Sequence, residues 1–545
     1  MTTSPSTANP LATGLPDVAA LERLANQFFR EISGSSPSPG GIAPPAGIPA
    51  SPALPVTPSL PGPSFGGHSI PGLPGIAGLP SVPGIPGDGD LKALLGAPRP
   101  STPQLPGFQA EGVTALDPRT SVPAAPRPGD LTRGPLVAPV PFPAELIRQQ
   151  FPILSERVNG KRLVWLDNAA TTQKPQAVID RLVKFYQTEN SNIHRAAHAL
   201  AARATDAYEA ARESVRRFIG AASTDEIVFV RGATEGINLI SKSWGAANLK
   251  AGDEILVSHL EHHANIVPWQ QLAQSNGAVL KVIPVTDDGA LDLSALAKLL
   301  NPKVKLVSVT QVANAIGTVV PVTEVTALAH AVGARVLIDG AQSVSHMPVN
   351  VQAIGCDWFV FSGHKVYGPT GIGAVYGRKE VLEASPPWQG GGNMISDVTF
   401  ERTQYHGAPA RFEAGTGNIA DAVGLGAALD WLSEFGMPNV AAYEHQLIAY
   451  AEPRLAAIKG LKIIGHPPER AGALSFILDG FSTTEVGSAL DKDGIAVRSG
   501  HHCAQPILRR FGLEASVRPS FAIYTTCADI DALVASVTRL TATRR

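Results

Sequence analysis

From residue 142 onward, short apolar runs alternate with amphipathic stretches along the chain. Runs rich in β-branched and aromatic residues predict buried strands, and apolar residues spaced three and four apart predict helices. The alternation is typical of a doubly wound α/β domain with a mostly parallel sheet, and a smaller α/β domain is expected after it. The predicted strands are Glu226–Val230, Glu254–Ser258, Val279–Pro284, Lys305–Thr310, Arg335–Asp339 and Trp358–Phe361, and the predicted helices are Pro175–Glu189, Thr205–Ile219, Gly236–Trp244 and Gly415–Phe435.

The first 140 residues follow neither pattern. Of the 47 prolines in the chain, 30 lie in residues 1–150. Apolar-Pro-Gly units recur at Ile70–Pro80 and Val82–Gly87 without a strict three-residue register, which excludes a collagen helix. This composition indicates a disordered, partly polyproline II extension. We therefore expect a disordered Pro/Gly-rich extension over 1–140, a large domain over 141–415 and a small C-terminal domain over 416–545.

One segment of the extension, Leu15–Ile32, has a helical pattern. Pro16 and Asp17 stand near its start, as at a helix N-terminus. A lone helix of this length is marginal in water, so its apolar stripe with Phe28 and Phe29 is expected to dock in a groove on a partner. The alternative is that the segment packs back on its own enzyme.

Composition narrows the function classes. The net charge of -2 over 545 residues gives no reason to expect nucleic acid or an anionic membrane as a partner. No apolar run reaches the roughly 18 residues of a membrane span, and the N-terminus lacks the pattern of a secretion signal. Three cysteines provide no disulfide framework, which fits a reducing cytoplasm.

The stretch Asp357–Gly373 places one lysine directly after an apolar run. Lys365 follows the predicted strand and a small polar turn, and the later glycines permit a tight reversal. A lysine crowded by backbone is poorly hydrated, and this favours the neutral amine that condenses with a carbonyl group. The stretch therefore fits a lysine that holds pyridoxal phosphate (PLP) as a Schiff base. The alternative is a surface lysine in a β-turn.

Two further positions fit the same cofactor. Thr234 lies in a small-residue turn that opens a helix, and helix N-termini bind phosphate, although capped helix starts are also common without a ligand. Asp339 ends a predicted buried strand, where a carboxylate needs a partner. The protonated pyridine nitrogen of PLP is a suitable partner. The alternative is that Asp339 caps the next helix.

Adjacent histidines follow the predicted strand Glu254–Ser258. An imidazole at a strand end is suited to stacking on a flat cofactor or relaying protons, and we assign this to His262. The pair His262 and His263 also suggests a metal site. Neighbours on a loop rarely both bind one ion, and the sequence has no set of ligands at zinc spacing, so we predict no metal.

A candidate nucleophile lies near the C-terminus. Cys503 is in a glycine-containing loop beside Arg498 and two histidines, and positive neighbours favour the reactive thiolate. Cys356 adjoins a buried strand and is expected to be inert, while the sequence assigns no role to Cys527. Arg518 offers a planar fork for a substrate carboxylate, or alternatively a surface ion pair.

Several long motifs occur in one order along the chain: Leu166-Asp-Asn-Ala-Ala-Thr-Thr-Gln-Lys-Pro175, Asn192-Ile-His-Arg195, Arg203-Ala-Thr-Asp-Ala-Tyr208, Glu261-His-His-Ala-Asn-Ile-Val-Pro-Trp269, Ser362-Gly-His-Lys365, Arg411-Phe-Glu-Ala-Gly-Thr416 and Arg498-Ser-Gly-His-His-Cys-Ala504. In these motifs the chain from about residue 142 to its end resembles the type II (SufS-type) cysteine desulfurases. They are aminotransferase class V enzymes of the PLP fold type I. The resemblance implies a homodimer that converts L-cysteine to L-alanine and passes sulfur through a persulfide to an acceptor protein or thiol.

The resemblance also implies roles for individual residues. Lys365 would hold the cofactor and shuttle protons, Cys503 would attack the substrate sulfur, and His262 would stack on the cofactor ring. The other implied cofactor contacts are Asp339 at the pyridine nitrogen, Gln342 at the ring hydroxyl, Thr234, Ser362 and His364 at the phosphate, and Thr416 from the second subunit. The implied substrate contacts are Asn314 and Arg518 at the carboxylate, together with Arg498 and His194.

Three positions depart from the family pattern. Pro519 follows the substrate arginine where the family usually has alanine, Thr525 replaces an asparagine, and Gly417 replaces a proline. We expect the chemistry to survive these changes, while the substrate geometry and turnover are less firmly implied.

The extension resembles the proline-rich extensions of desulfurases that are packaged as cargo in encapsulin shells. This resemblance rests on composition and on Leu15–Ile32, and it implies an enzyme tethered inside a protein compartment in the cytoplasm, for sulfur mobilisation or storage. The alternatives are an inert linker or a docking arm for another partner. For the enzyme, the alternatives are a selenocysteine lyase, another class V PLP enzyme, or an idle scaffold.

Overall fold

The computed structural model describes residues 142–194 and 198–543. The predictions for the extension, including the helix at 15–32, lie outside these residues. The strands are β1 (Arg157–Val158), β2 (Lys161–Arg162), β3 (Val164–Trp165), β4 (Ile227–Val230), β5 (Glu254–Ser258), β6 (Val279–Ile283), β7 (Val304–Thr310), β8 (Arg335–Asp339), β9 (Trp358–Ser362), β10 (Gly373–Gly377), β11 (Ile395–Val398), β12 (Thr403–Tyr405), β13 (Leu461–Ile463), β14 (Phe476–Leu478), β15 (Ile495–Ala496), β16 (Arg498–Gly500) and β17 (Ser516–Arg518).

The helices lie between and after these strands. They are α1 (Ala144–Gln149), α2 (Gln176–Thr188), α3 (Ala199–Ile219), α4 (Ala233–Ile240), α5 (Ala246–Asn248), α6 (Val267–Asn276), α7 (Leu293–Leu299), α8 (Val322–Ala331), α9 (Val351–Ile354), α10 (Lys379–Glu383), α11 (Ile419–Ser433), α12 (Met437–Ala456), α13 (Thr483–Lys492), α14 (Gln505–Arg510) and α15 (Cys527–Ala542). Within the described residues, no helix combines the length and the apolar character that a membrane span requires.

A seven-stranded sheet forms the centre of the larger part, in the order β4-β10-β9-β8-β7-β5-β6. All neighbouring pairs are parallel except the two that involve β10. Every residue of β4, β5, β9 and β10 is buried, as expected for a sheet covered on both faces. The predicted mostly parallel α/β fold is confirmed, and the bounds predicted for β5 and β8 are those observed.

The antiparallel strand β10 was missed by the sequence analysis, which assigned its glycines to a reversal. Gly371 makes the turn with a φ of 73°, but Gly373 already lies in the strand. A Cβ at Gly373 would stand 2.3 Å from the carbonyl oxygen of Phe361, so a side chain there would clash with β9. This glycine therefore serves close strand pairing as well as the turn before it.

Two predicted helices start earlier than expected. The helix α3 begins at Ala199 rather than Thr205, because the side chain of His198 caps it by accepting a hydrogen bond from the amide of Ala201 (3.2 Å). The helix α4 begins at Ala233, and its regular part ends at Ile240, after which a π turn follows. Both predicted helices exist. The cap of α3 was missed, while α4 begins after Gly232 without a side-chain cap.

The C-terminal part contains a four-stranded sheet in the order β13-β14-β17-β16. Its core joins apolar residues of this sheet with those of α12, α13 and α15. The strand β15 pairs in parallel with β3, which lies more than 300 residues earlier in the chain. The segment around β3, near the start of the described chain, therefore packs with the C-terminal part.

The helix α11 directly follows the predicted domain boundary at 415/416. It packs against α3, where a Cβ on Gly426 would stand 2.8 Å from the Cα of Ala211. Its buried residues share a core cluster with α2 and α3. The division into 141–415 and 416–545 stays a prediction.

Candidate active site

A cavity of about 200 Å³ opens at the carboxyl ends of the parallel strands, the usual ligand position in such sheets. The small sheet contributes its other wall. The lining residues are Ala169, Ala170, Ala233, Thr234, His262, Ala264, Thr310, Asn314, Asp339, Ala341, Gln342, Ser362, His364, Lys365, Arg498, His502, Cys503 and Arg518. All the predicted site residues are among them except Thr416 and His194.

Lys365 follows β9 in a single 3₁₀ turn, Gly363–Lys365, and lines the cavity instead of the outer surface. The surface-lysine alternative therefore does not describe its position. Burial of the amine lowers the pKa of Lys365 to about 8, although the nearby Asp339 opposes this shift. A substantial fraction of the amine is thus neutral near physiological pH, as the chemistry of a cofactor lysine requires.

Asp339 ends β8 on the cavity floor and is 3% exposed. Its Oδ1 accepts a hydrogen bond from the amide of Ala341 (2.9 Å), which lies before the next helical turn, Ser343–Ser345, so Asp339 does not cap that turn. Burial raises the pKa of Asp339, while this amide and Lys365 lower it. A cationic ring nitrogen would compensate such a buried carboxylate. Nearby, Gln342 donates to the carbonyl of Ala169 (2.7 Å).

His262 follows β5, and its Nδ1 accepts from the amide of Ala264 (3.1 Å). This contact leaves the ring proton on Nε2 of the neutral imidazole. Burial lowers the pKa of His262 to about 3, and the positive charge of Lys365 adds to the effect. His262 is therefore a neutral, flat side chain at ordinary pH, suited to stacking. Among the described residues, no three His, Cys, Asp or Glu side chains form a possible metal site.

A buried polar network beneath His262 was missed by the sequence analysis. Glu261 is fully buried and accepts hydrogen bonds from Ser258 (2.5 Å) and Asn265 (2.6 Å). Asn265 in turn accepts from Trp269 (3.0 Å) and Ser308 (2.6 Å). Burial raises the pKa of Glu261 to about 8. The network anchors the loop that carries His262. Its polar residues lie among apolar ones in the sequence, and this was the signal from which the network could have been predicted.

The predicted phosphate seat lies at the first turn of α4. Thr234 lines the cavity there beside Ser362 and His364. The hydroxyl of Ser362 accepts from the amide of Ala233 (2.9 Å), and a Cβ on Gly232 would stand 3.0 Å from that hydroxyl. Ser362 at the end of β9 therefore holds this turn by a hydrogen bond. Position 232 requires glycine, because its backbone lies close to the Ser362 hydroxyl and has a φ of 153°.

Arg518 ends β17 and is 1% exposed, so the alternative of a surface ion pair is wrong. Its Nη1 donates to the carbonyl of Asn314 (2.9 Å), and its Nη2 to Asp167 Oδ1 (3.2 Å). The buried Nε of Arg518 and the buried Oδ1 of Asn314 have no hydrogen-bond partner among the residues that the structure describes. A donor left over in this way suits an incoming carboxylate. Asp167 was missed, although it directly follows a short apolar run.

Cys503 lies in the loop after β16, where it and His502 both adopt a φ of 53°. The loop is tied down on both sides of the cysteine backbone. The amide of Cys503 donates to His501 Nδ1 (3.0 Å), and its carbonyl accepts from the amide of His263 (2.8 Å). The rings of His263 and His501 stack with centroids 5.8 Å apart. His263 and His501, one histidine from each adjacent pair, therefore support the loop.

The other two cysteines lie away from the cavity. Cys356 is fully buried, and burial raises its thiol pKa to about 12, which agrees with the predicted inert role. Cys527 begins α15 and is exposed. Of the three thiols, that of Cys503 alone lines the cavity with Lys365.

Two predicted site residues lie elsewhere in the single chain. Thr416 lines a separate cavity of about 490 Å³, together with Tyr208 and Glu413. His194 has a φ of 56° and lies with its Nε2 3.4 Å from Glu209 Oε1. Neither side chain lines the Lys365 cavity, so their assigned roles stay predictions that require a second subunit or a rearrangement.

Comparisons with known proteins show the family of the chain. The family of class-V aminotransferases matches residues 164–533. A cysteine desulfurase of Synechococcus elongatus is 62% identical over 401 residues, which cover 74% of this chain and 64% of that protein. One from Klebsiella pneumoniae is 50% identical over 400 residues, covering 73% of this chain and 98% of that protein.

Solved structures give the same result. A cysteine desulfurase of Escherichia coli in an S-sulfonic acid form superposes with a TM-score of 0.69 at 39% identity, covering 74% of this chain and 99% of that one. An apo cysteine desulfurase of Thermococcus onnurineus has a TM-score of 0.70 at 35% identity, with the same coverage. The match spans only 58–65% of the length of three longer curated relatives.

Proposed function

The chain belongs to the class-V aminotransferase family and, within it, to the cysteine desulfurases, and on this premise we propose that it converts L-cysteine to L-alanine while Cys503 takes up the sulfur. The observation that carries the proposal is one cavity that contains both Lys365 and Cys503. An aminotransferase needs the lysine but has no use for the thiol. A thiol opposite the lysine is what removal of sulfur from cysteine requires.

The cofactor of this family is PLP, and the cavity residues fit it. Lys365 has an amine of lowered pKa, and Asp339 is a buried carboxylate in need of a cationic partner. The turn at Thr234 and Ser362 would hold the phosphate, and His262 would stack on the ring. Bound PLP supplies an electron sink that weakens the bonds around the substrate α-carbon.

The protein residues then divide the remaining work. Arg518 orients the substrate carboxylate through its unpaired buried Nε. Asn314 would reach the same carboxylate with its Nδ2, which in the free site donates to the carbonyl of His502 (2.7 Å). Lys365, with a pKa of about 8, exchanges protons at the substrate α-carbon in either direction at physiological pH. Cys503, as thiolate, forms a sulfur–sulfur bond to the substrate while the carbon–sulfur bond breaks. The substrate β-carbon keeps the electron pair of the broken bond and takes up a proton, which leaves alanine and a persulfide on Cys503.

Replacement of two of the three cysteines, Cys503 and Cys527, tests the proposal. Cys503→Ala should keep the visible absorbance of the bound cofactor and lose more than about a hundredfold in alanine formation from cysteine. Cys527→Ala, an exposed cysteine far from the cavity, is the matched control and should match the parent enzyme. Full alanine formation by Cys503→Ala would exclude the desulfurase mechanism and favour another PLP reaction.

We also propose that the chain forms a homodimer of the type II (SufS-type) desulfurases. In this dimer, Thr416 of one subunit completes the cofactor site of the other. The position of Thr416 on a separate cavity supports this. Lys365→Ala and Thr416→Ala subunits, mixed and reassembled, would then form one intact site per heterodimer and regain activity. Mixtures that stay as inactive as the separate variants would contradict a shared site.

We further propose that residues 1–140 address the enzyme to an encapsulin shell in the cytoplasm, for sulfur mobilisation or storage. The support is the Pro/Gly-rich composition and the amphipathic segment Leu15–Ile32. Desulfurase activity in native lysate should sediment with megadalton particles for the full chain and as a dimer after deletion of 1–140. Dimers in both samples would favour an inert linker or an arm for a sulfur-acceptor protein.

A further inference from the structure

The peptide group that precedes Lys365 is contacted by an unusual number of donors. The carbonyl oxygen of His364 lies within hydrogen-bond distance of the amide of Thr172 (3.0 Å), the Thr171 hydroxyl (2.9 Å), the Thr172 hydroxyl (3.2 Å) and the Lys174 amine (3.3 Å). A carbonyl oxygen has two lone pairs, so these four donors exceed its ordinary capacity. All come from one short segment, Thr171–Lys174.

The same segment also contacts the chain after Lys365. The hydroxyl of Thr172 accepts from the amide of Tyr367 (2.8 Å). Tyr367 has a φ of 65°, a left-handed conformation that a residue with a bulky side chain adopts only when its surroundings impose it. The segment Thr171–Lys174 therefore fixes the backbone on both sides of Lys365.

Lys174 is the charged member of this segment, and the proposed chemistry leaves it without a task. Its amine donates to the carbonyls of Thr172 (2.5 Å) and His364 (3.3 Å). Within residues 142–194 and 198–543, no salt bridge joins it to a carboxylate. Burial lowers the pKa of Lys174 to about 8. A partly buried ammonium that binds only carbonyls is costly, which indicates a use for its charge.

We propose that Lys174 is a positioning residue for Lys365: its ammonium group holds the carbonyl of His364 and thereby sets the place of the Lys365 amine in the cavity. The inference rests on Lys365 being the cofactor lysine, and so on the proposed function. A charged donor makes a stronger hydrogen bond than a neutral one. Thr171 and Thr172 hold the loop that carries Lys365 in place, and the charged hydrogen bond from Lys174 fixes the orientation of the His364 carbonyl.

The test measures capture of PLP by the apo-protein, followed as the rise of visible absorbance in the absence of cysteine. Lys174→Met should slow capture and lower kcat about ten- to a hundredfold, because a displaced amine meets its target poorly. The KM for cysteine should stay within about twofold, since Arg518 is untouched. Lys174→Arg, which keeps a charged donor, should recover most of the loss. Lys184→Met removes a lysine that is 67% exposed and should change nothing.

If Lys174→Met does not fold, the same comparison is made between Lys174→Gln, which lacks the charge, and Lys174→Arg, which keeps it. Parental capture rates and kcat in the uncharged variant would overturn the inference. So would equal losses in the Arg and uncharged variants, which would indicate a role in packing alone. Because capture is measured without cysteine, absent desulfurase activity in the parent enzyme would refute the proposed function and leave this comparison intact.

Discussion

Arg518 Nη2 lies 3.2 Å from Asp167 Oδ1, and the two residues are 351 positions apart in the chain. Arg518 is almost completely buried, whereas 21% of the Asp167 side chain is exposed. The partly exposed carboxylate of Asp167 therefore holds Nη2 of the buried guanidinium in place. The buried Nε stays available to the substrate.

Loss of this anchor should weaken cysteine binding. Asp167→Ala leaves Arg518 with the carbonyl of Asn314 as its remaining contact, and we expect the KM for cysteine to rise about tenfold. Asp167→Asn keeps an oxygen acceptor in place and should stay within about threefold of the parent KM. Steady-state kinetics at fixed ionic strength measure both. An unchanged KM for Asp167→Ala would mean that Asn314 alone orients the fork.

Cofactor capture should depend on pH through the amine of Lys365. With a pKa lowered to about 8, its neutral fraction rises about fivefold between pH 7 and pH 8 and levels off near pH 9. An ordinary lysine would still gain reactivity above pH 10. Stopped-flow absorbance of the apo-protein with PLP gives the profile. Lys174 also has a pKa of about 8, so Lys174→Arg is the control: a midpoint that disappears in this variant would assign the profile to Lys174.

The raised pKa of Glu261 should make the folded protein less stable as the pH rises. Its carboxyl has an ordinary pKa of 4.5 and a folded-state pKa raised to about 8. Between these values the folded chain keeps a proton that the unfolded chain releases, so this group lowers the free energy of unfolding as the pH rises, by up to a few kcal/mol. Glu261→Gln carries no such proton and should be less sensitive to pH. Urea unfolding at pH 5 and pH 8 gives the free energy of unfolding of the parent protein, of Glu261→Gln and of the control Glu434→Gln, which replaces an exposed glutamate. The same difference between the two pH values in all three proteins would contradict the prediction.

The buried ion pair of Glu413 and Arg212 should matter for folding. Their side chains are 8% and 3% exposed, with Arg212 Nη1 2.7 Å from Glu413 Oε1. Glu413 also accepts from the amide of Phe229 (2.8 Å). Glu413→Ala leaves the buried arginine with the more exposed Glu209 (2.9 Å) as its carboxylate partner and should cost about 3 kcal/mol. Asp479→Ala breaks an exposed pair with Lys462 (2.9 Å) and should cost at most about 1 kcal/mol. Similar thermal shifts for the two variants would refute this difference.

Local sequence patterns predicted most of the residues that the structure brings together in one cavity. Lys365, Asp339 and Thr234 were found because each follows an apolar run, and the ends of parallel strands meet at one edge of a sheet. Cys503 was found from its neighbours in the same loop. These signals act over a few residues, so they survive without knowledge of the fold.

Helix starts and one strand were harder to predict. His198 extends α3 by capping it, and histidine is an uncommon cap in sequence patterns. The strand β10 is rich in glycine, which indicates a turn rather than a strand. Its place in the sheet, next to the edge strand β4, comes from pairing with β4 and β9. Tertiary contacts therefore overrode local preference in β10, whereas the cap of α3 is a local contact.

By itself, the sequence determined which residue types are available for catalysis and which strand end carries each, because strand periodicity and turn composition are local properties. The tertiary structure decided which partners these residues have. Asp167 meets Arg518, His263 meets the backbone of Cys503, and Lys174 meets the carbonyl before Lys365 through contacts that join distant parts of the chain. Such contacts depend on the order of the strands and on the packing of the small sheet against the large one, and no local pattern of apolar and polar residues encodes that order.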